Sequence, residues 1–450
     1  MGVSEETTGL PDGPGARWVR VALVLVVTVG FPLALVVLVI VNNPELSALD
    51  EQAHLDYVRR VEQLEIPRMG EKVLEETVRD AQCRTIRGIR TAPCDLDDHD
   101  PGSLAAEGYQ YEAQQPPIYY AVTALLRQVA RIGPADDFVT TARLTGAAWL
   151  SAGLLVFWLA CRRLGCPWWP ALIVTGLLAV SPGVVYQSAT VNNDAAAILT
   201  GGMALLMFAS LRAQVSLLRV AGWCGVAVLL VLVKPTGVVA VAAAVAALWV
   251  DALVEGRLRV RRVFAVTAPL LAGMAVYLAW SLVREARAIV DYDVVLEALL
   301  DFKQIERFPL DDVVAAVTRL LDAYMGAGTP IAPPFVAQPA MLVSYALVAA
   351  GLMSLWTKRG GDVAQRTGSV SLLTMVLAGP AFAVLFYVDY SVRGGSSPRY
   401  GLSLLPLLAV AAASTYRTRR AIAVLLALGV LVLVPLVIAS GYPTTRPGHG

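Results

Sequence analysis

The chain has 450 residues, of which 57% are hydrophobic and 16% charged, with a formal net charge of +1. Soluble domains carry about 25% charged residues, so this composition excludes an ordinary soluble enzyme, and the balanced charge offers no footing for nucleic acid. The five cysteines and three histidines lack C-x-x-C spacing, which argues against a zinc site built from Cys and His.

The first apolar run, 18–41, is long enough to cross a bilayer, for which about 20 residues suffice. No small-residue cleavage site follows it, so it reads as a retained helix. Arg17 and Arg20 place its N-terminus in the cytoplasm, because basic residues accumulate there. Residues 1–17 are then a cytoplasmic tail, and a long polar loop, about 42–141, lies outside the cytoplasm. Its opening "SALDEQAHLDY" sets Asp50, Glu51 and His54 just beyond the helix end. Asp50 alone has an ordinary reading, a capping box with Ser47. That reading leaves Glu51 and His54 unexplained, and Asp50 and His54 share a helix face. Cys83 and Cys94 lie in the same loop; in an oxidising compartment they pair as a disulfide, the alternative being two unrelated thiols.

Next comes "YEAQQPPIYY", with Glu112 and Gln115. Gln115-Pro116-Pro117 also reads as a rigid entry into a helix. The segment 118–132 carries an apolar stripe and a second face with Thr123, Arg127 and Arg131, the pattern of a helix lying in the interface. If it does not cross, the following helix runs inward and carries Arg162 and Arg163 to the cytoplasm. The later clusters then fall on the same side: Arg212 and Arg219, Arg257 to Arg262, Lys358 with Arg359 and Arg366, and Arg417 to Arg420. About eleven crossings result, with a second outer loop at about 284–339 and the tail 441–450 outside. The expected fold is an all-α polytopic membrane bundle, a single domain over 18–440, whose first extracytoplasmic loop carries juxtamembrane helices.

On the outer side this threading collects Asp50, Glu51, His54, Glu112, Gln115, Asn193 and Asp194 of "VNND", Lys234 of "LVKPTG", and Arg399 and Tyr400 of "PRYGLSLLP". Ionisable groups at membrane depth are costly and mark functional sites by default. Each has a plainer reading. Asn192 and Asn193 serve as helix caps with Asp194 in a first turn, and Lys234 and Arg399 as side chains snorkelling to headgroups.

Taken together, these motifs resemble the GT-C superfamily of membrane glycosyltransferases, whose members include protein O-mannosyltransferases and aminoarabinose transferases. "DEQAH" resembles the acidic motif after the first helix. "YEAQQPPIYY", followed by Arg143-Leu144, resembles an "E-K-P-P-L-Y-Y" segment, and "NNDAA", "LVKPTG" and "PRYGLSLLP" resemble later outer turns. Gln115 stands where aminoarabinose transferases carry Lys. The resemblance implies transfer of a sugar from a polyprenyl-phosphate donor to a cell-envelope glycan, lipid or protein, at the extracytoplasmic face of the plasma membrane, with inversion.

The residues suit that chemistry independently. No nucleotide-sugar pool exists outside the cytoplasm, and the sequence lacks the phosphate-cradling Gly-rich motifs. Asp50 is the expected base and Glu51 its catalytic neighbour, with Glu51, His54 or Asp194 positioning Asp50 or binding the acceptor. Arg399, with Lys234 as helper, is expected to hold the leaving phosphate, and the resemblance implies that His54, Glu112, Gln115, Arg143, Asn193, Asp194 and Tyr400 bind substrate. A divalent metal between Asp50, Glu112 and Asp194 is compatible with this set and not demanded by it. The rival reading is a transporter or flippase of a lipid-linked glycan, which would show internal repeats and broken helices near the midplane.

Overall fold

The structure is a computed structural model that describes residues 14–48, 50–89, 91, 93–94, 99–131, 137–257, 259–300, 307–326, 331–356, 361–391 and 396–441. It is all-helical, with no strand among the described residues beyond isolated bridges. In chain order the helices are α1 (Pro14–Leu25), α2 (Phe31–Asn42), α3 (Glu51–Glu62), α4 (Glu75–Arg84), α5 (Ile118–Ala130), α6 (Phe138–Arg163), α7 (Trp168–Ala179), α8 (Pro182–Ala189) and α9 (Ala197–Ala213). They continue with α10 (Leu217–Val233), α11 (Gly237–Val254), α12 (Val260–Arg287), α13 (Tyr292–Leu300), α14 (Leu310–Arg319), α15 (Pro334–Trp356), α16 (Val363–Tyr390), α17 (Leu405–Thr415) and α18 (Arg419–Gly441).

Among the described residues, eight helical segments are long and apolar enough to cross a membrane: α1–α2 as one rod, α6, Asn193–Ala213, α11, α12, and most of α15, α16 and α18. This is the build of a multi-pass membrane protein. A ninth candidate is the pair α7–α8, bent by 57°. The bend has a local cause. Pro182 has no N–H to give and disfavours helix at Ser181, and Ser181 instead caps α8 by accepting from the Val184 N–H. The remaining two of the expected eleven crossings rest on α10, of 17 residues, and α17, of 11. α17 is buried along most of its length among α7, α9, α15 and α16, as a helix apolar all round must be.

Small residues set the closest helix contacts. A Cβ on Gly201 of α9 would lie 2.1 Å from the Ser403 carbonyl oxygen. The absence of that Cβ lets the 3₁₀ turn Pro398–Leu404 dock directly on α9.

The loop between α2 and α6 is folded around Leu55, Val58, Val78, Ala81 and Tyr120, an apolar cluster that it shares with Ala142 and Trp149 of α6 and Val233 of α10. Asp56 ties it together, bonding Arg60 Nε at 2.9 Å, the Leu74 N–H at 2.7 Å and Gln110 Nε2 at 2.8 Å. Cys83 and Cys94 are joined as a disulfide. α5 spans only 13 residues, about 20 Å at 1.5 Å per residue. Its Thr123–Arg127 face is turned inward, Arg127 pairing with Glu62, while Leu125 and Val129 are exposed. The expected basic face is therefore buried at Thr123 and Arg127 and exposed only at its end, at Arg131. Ile132 of the expected stripe lies outside the described residues.

The second loop packs onto the first. The Ile289 N–H donates to the Met69 carbonyl at 2.8 Å, and Arg287 to that of Ile66 at 2.7 Å. Val295 of α13 is buried against Met69, Ala106 and Tyr111. At the other end of the bundle the basic clusters meet. Asp251 at the end of α11 accepts from Arg212 at 2.9 Å and Arg366 at 2.6 Å, and Arg417 pairs with Asp362 at 2.8 Å. Lys358 and Arg359 lie outside the described residues.

Candidate functional site

The start of α3 is built around two neighbouring acids with opposite placements. Glu51 is fully buried and accepts two bonds from Arg143, both 2.7 Å, and one each from the Ser47 N–H at 2.6 Å and the Val191 N–H at 3.0 Å. Arg143 also donates to the Asn43 and Glu45 carbonyls, at 2.7 and 2.6 Å. These bonds pin α3, α6 and the turn after α8 to the end of α2. Every acceptor site of Glu51 is spoken for and neither residue lines the cavity described below. The geometry suits the positioning part that the sequence offered for Glu51, and it gives Arg143 a buried structural partner away from the cavity. The sequence signal was the spacing of "DE", which cannot say which acid faces inward.

Asp50 caps nothing: its side chain makes no capping bond and the helix begins at Glu51. The capping-box reading fails for that reason. Its backbone is left-handed, φ 66°, a conformation Asp tolerates better than most side chains and one that concentrates at functional sites. The twist turns its carboxylate to Arg399, whose Nη2 donates to Oδ2 at 2.9 Å.

Arg399 opens onto a cavity of about 260 Å³. Its walls hold His54, Glu112, Gln115, Asn193, Asp194, Lys234, Arg399 and Tyr400, eight residues expected from sequence and drawn from five separate segments. Asp50 reaches the cavity through Arg399. Asp194, in the turn before α9, pairs with Lys234 and stands 3.7 Å from Arg399 Nε. Lys234, between α10 and α11, is 5% exposed, so it does not snorkel; its partner is Asp194. Asn192 does cap, accepting from the Asp194 N–H at 2.8 Å, and thereby aims Asp194. Asn193 Nδ2 donates to Gln115 Oε1 at 3.1 Å, joining the two turns on the far wall.

Glu112 and His54 face each other, Nε2 to Oε1 at 3.7 Å, and His54 Nδ1 meets the Tyr120 hydroxyl at 2.8 Å. Burial lowers the basicity of His54, reinforced by Arg399 and Lys234, so the imidazole is neutral. Burial first, and then Asp50, pushes Glu112 up to about 8 against the pull of Arg399 and Lys234. Glu112 Oε2 is buried and accepts no hydrogen bond.

The rest of the lining was not read from sequence. Tyr277, Trp280 and Arg284 come from the end of α12, and Phe382, Phe386 and Asp389 from the end of α16. Trp280 Nε1 donates to the Gln114 carbonyl at 2.8 Å, clamping α12 to the first loop. Aromatic residues at helix ends ordinarily read as an interfacial belt, and only their spacing along one helix face could have drawn attention.

The donor set does not suit a metal. Among the described residues no three His, Cys, Asp or Glu side chains converge. Asp50 and Asp194 are already matched to cations.

No protein-family model matches the sequence, and no curated protein matches it. Among solved structures, the archaeal oligosaccharyltransferase AglB from Archaeoglobus fulgidus, in complex with an inhibitory peptide and a dolichol-phosphate, is similar at 12% identity and a TM-score of 0.50, covering 95% of this chain and 56% of that one. The apo form of the Archaeoglobus fulgidus oligosaccharyltransferase is similar at 12% identity and a TM-score of 0.48, over 94% and 56%. The chain thus spans about half the length of these proteins. At this identity the likeness concerns the fold alone, a many-helix bundle like that of the archaeal protein.

Proposed function

We propose that this protein is an integral-membrane glycosyltransferase that moves a sugar from a polyprenyl-phosphate carrier to a cell-envelope acceptor at the extracytoplasmic face of the plasma membrane. The observation that carries the reading is the cavity of about 260 Å³ where Arg399 and Lys234 meet Asp194 and Glu112, with Asp50 bonded to Arg399. The fold shared with AglB supports it, and AglB is seen with a dolichol-phosphate. A single domain over 18–440 with eleven crossings would put every such residue at one face.

In one displacement the acceptor oxygen bonds to the anomeric carbon as the bond from that carbon to the phosphate oxygen breaks. The phosphate leaves with the electron pair and needs no proton, and the acceptor proton passes to Asp50. Arg399 is the phosphate clamp, suited by its planar fork, with Lys234 assisting. Asp50 and the donor phosphate compete for the same guanidinium. When Arg399 moves to the phosphate, Asp50 loses its counter-ion and becomes a free base beside the acceptor. Back-side attack inverts the anomeric centre.

The test is transfer of labelled sugar from a panel of polyprenyl-phosphate donors in membranes carrying the full chain, with envelope glycans of a deletion strain compared in parallel. Transfer that depends on Asp50 and Arg399 is expected. No transfer from any donor, together with movement of a lipid-linked glycan across reconstituted vesicles, would replace this reading by the transporter one.

A further inference from the structure

At the opposite end of the bundle from the candidate site, a second cavity of about 660 Å³ is lined by Arg212, Arg257, Arg259, Arg261 and Arg262 together with Ser216 and short apolar residues. No acid lines it. The topology places it there: Asp194 precedes α9 and Arg212 ends it, while Trp280 and Arg284 lie near the C-terminus of α12 and Arg259 to Arg262 at its start.

The five arginines are not equivalent. Arg212 is held by Asp251 at 2.9 Å and Glu255 at 2.7 Å, and Arg257 pairs with Glu255. Arg259, Arg261 and Arg262 form no ion pair with a described residue; Arg262 donates only to the Arg212 carbonyl, at 3.4 Å. Three uncompensated cations thus share one concavity. Arg259 is also the N-cap residue of α12 and makes no side-chain capping bond. The Arg262 and Val263 N–H groups bond the Arg259 carbonyl, at 2.9 and 3.0 Å, and the start of this 28-residue helix carries the positive end of its dipole, which favours an anion beside the three arginines. The margin is apolar and open: Leu217 is 87% exposed, Val260 73% and Phe264 71%. A soluble anion gains nothing from such a margin, whereas a lipid rests its acyl chains there.

We infer that this arginine cavity binds the phosphate group of an anionic phospholipid from the adjoining leaflet. The site is independent of the glycosyl-transfer reading, requiring only that the chain be embedded in a bilayer. Basic pockets between membrane helices suit lipid headgroups, each cation contributing roughly fivefold in affinity, so removing three should weaken binding about a hundredfold.

The experiment is native mass spectrometry of the full chain in detergent, titrated with phosphatidylglycerol or with phosphatidylcholine of the same chains. The wild type is expected to hold one phosphatidylglycerol through delipidation and to bind phosphatidylcholine far less. In the triple variant Arg259→Ala, Arg261→Ala, Arg262→Ala that adduct should be lost. The double variant Arg419→Ala, Arg420→Ala, which removes cations at the same end outside the cavity, should retain it. Equal retention of both lipids by the wild type needs no variant to read and would overturn the inference. Equal loss in the two variants would do so as well, since it would mean diffuse attraction. A third arm adds glycerol phosphate: displacement of the lipid at low millimolar concentration would show a soluble phosphate site instead.

Discussion

Replacing Asp50 by Asn separates its chemistry from its place in the fold. Asn keeps the volume and accepts the left-handed backbone at φ 66° at least as readily as Asp. Its amide oxygen can still accept from Arg399 Nη2, now 2.9 Å from Oδ2, so the turn Pro398–Leu404 stays docked. Only basicity and charge are lost. General-base catalysis contributes about 10²- to 10⁴-fold, or roughly 3–5 kcal/mol at 1.36 kcal/mol per decade, and kcat should fall by that amount. Donor affinity should behave differently. In the wild type the phosphate must take Arg399 from a carboxylate; in the variant it takes it from a neutral amide, with Asp194 still 3.7 Å from Nε. The KM for donor should be unchanged or lower. The assay is steady-state transfer in membranes with donor varied at saturating acceptor, beside a check of expression and monodispersity. A wild-type kcat in Asp50→Asn would refute the assignment. A raised donor KM with unchanged kcat would refute the competition for Arg399.

Arg399→Lys keeps the charge but not the planar fork, and should raise donor KM at least tenfold, read in the same assay. Arg143→Ala leaves Glu51 buried without its partner; such a loss costs about 3–5 kcal/mol, so thermal melting of the purified chain should drop sharply whatever the substrate. Glu112 rises on folding from an ordinary 4.5 to about 8, so the folded state binds the extra proton. The stability this confers is full below pH 4.5 and is lost as pH climbs to about 8. Melts across that window should be flatter for Glu112→Gln, and an unchanged slope would contradict the assignment. Gly201→Ala forces the Ser403 carbonyl, 2.1 Å from the new Cβ, and the turn bearing Arg399 to move, whereas Gly222→Ala meets nothing within 4 Å; turnover should fall at least tenfold in the first and hold in the second.

Much of the candidate site was legible because polarity is costly in a membrane. Lys234, Asp194 and Arg399 stood out as charges beside apolar runs, and the structure brings all three into one cavity. Orientation was not legible. Glu51 adjoins Asp50 in sequence, yet one turns to Arg143 and the other to Arg399, a division set by a single left-handed residue that no pattern of types announces. The crossings were legible where runs were long. They were blurred at α7–α8, where a Ser-Pro step bends the path by 57°, and at α17, whose 11 residues are too few for a hydropathy window. The aromatic wall from α12 and α16 stayed hidden because its rings match what any membrane helix end carries.

The placement of charge also bears on why the site's cations are tolerated. Arg399 and Lys234 are brought to a cavity of about 260 Å³ where an unmatched cation would carry a desolvation cost of several kcal/mol. Asp50 and Asp194 offset that cost in the folded chain. The two acids are not equivalent, however. Asp194 is held by the Asn192 cap and by Lys234, at 4% exposure, and cannot leave without stranding a buried ammonium. Asp50 is 21% exposed at its side chain and is held by the Arg399 guanidinium and the Tyr111 hydroxyl, so it can yield its one cationic partner to another anion and still keep a hydrogen-bond donor. A phosphate is the anion that a forked guanidinium receives best. The same asymmetry that makes Asp50 the replaceable partner makes it the base: it is the acid whose charge is released when the donor arrives. An Asp194→Asn variant should accordingly lose folding stability as well as turnover, whereas Asp50→Asn should lose turnover alone.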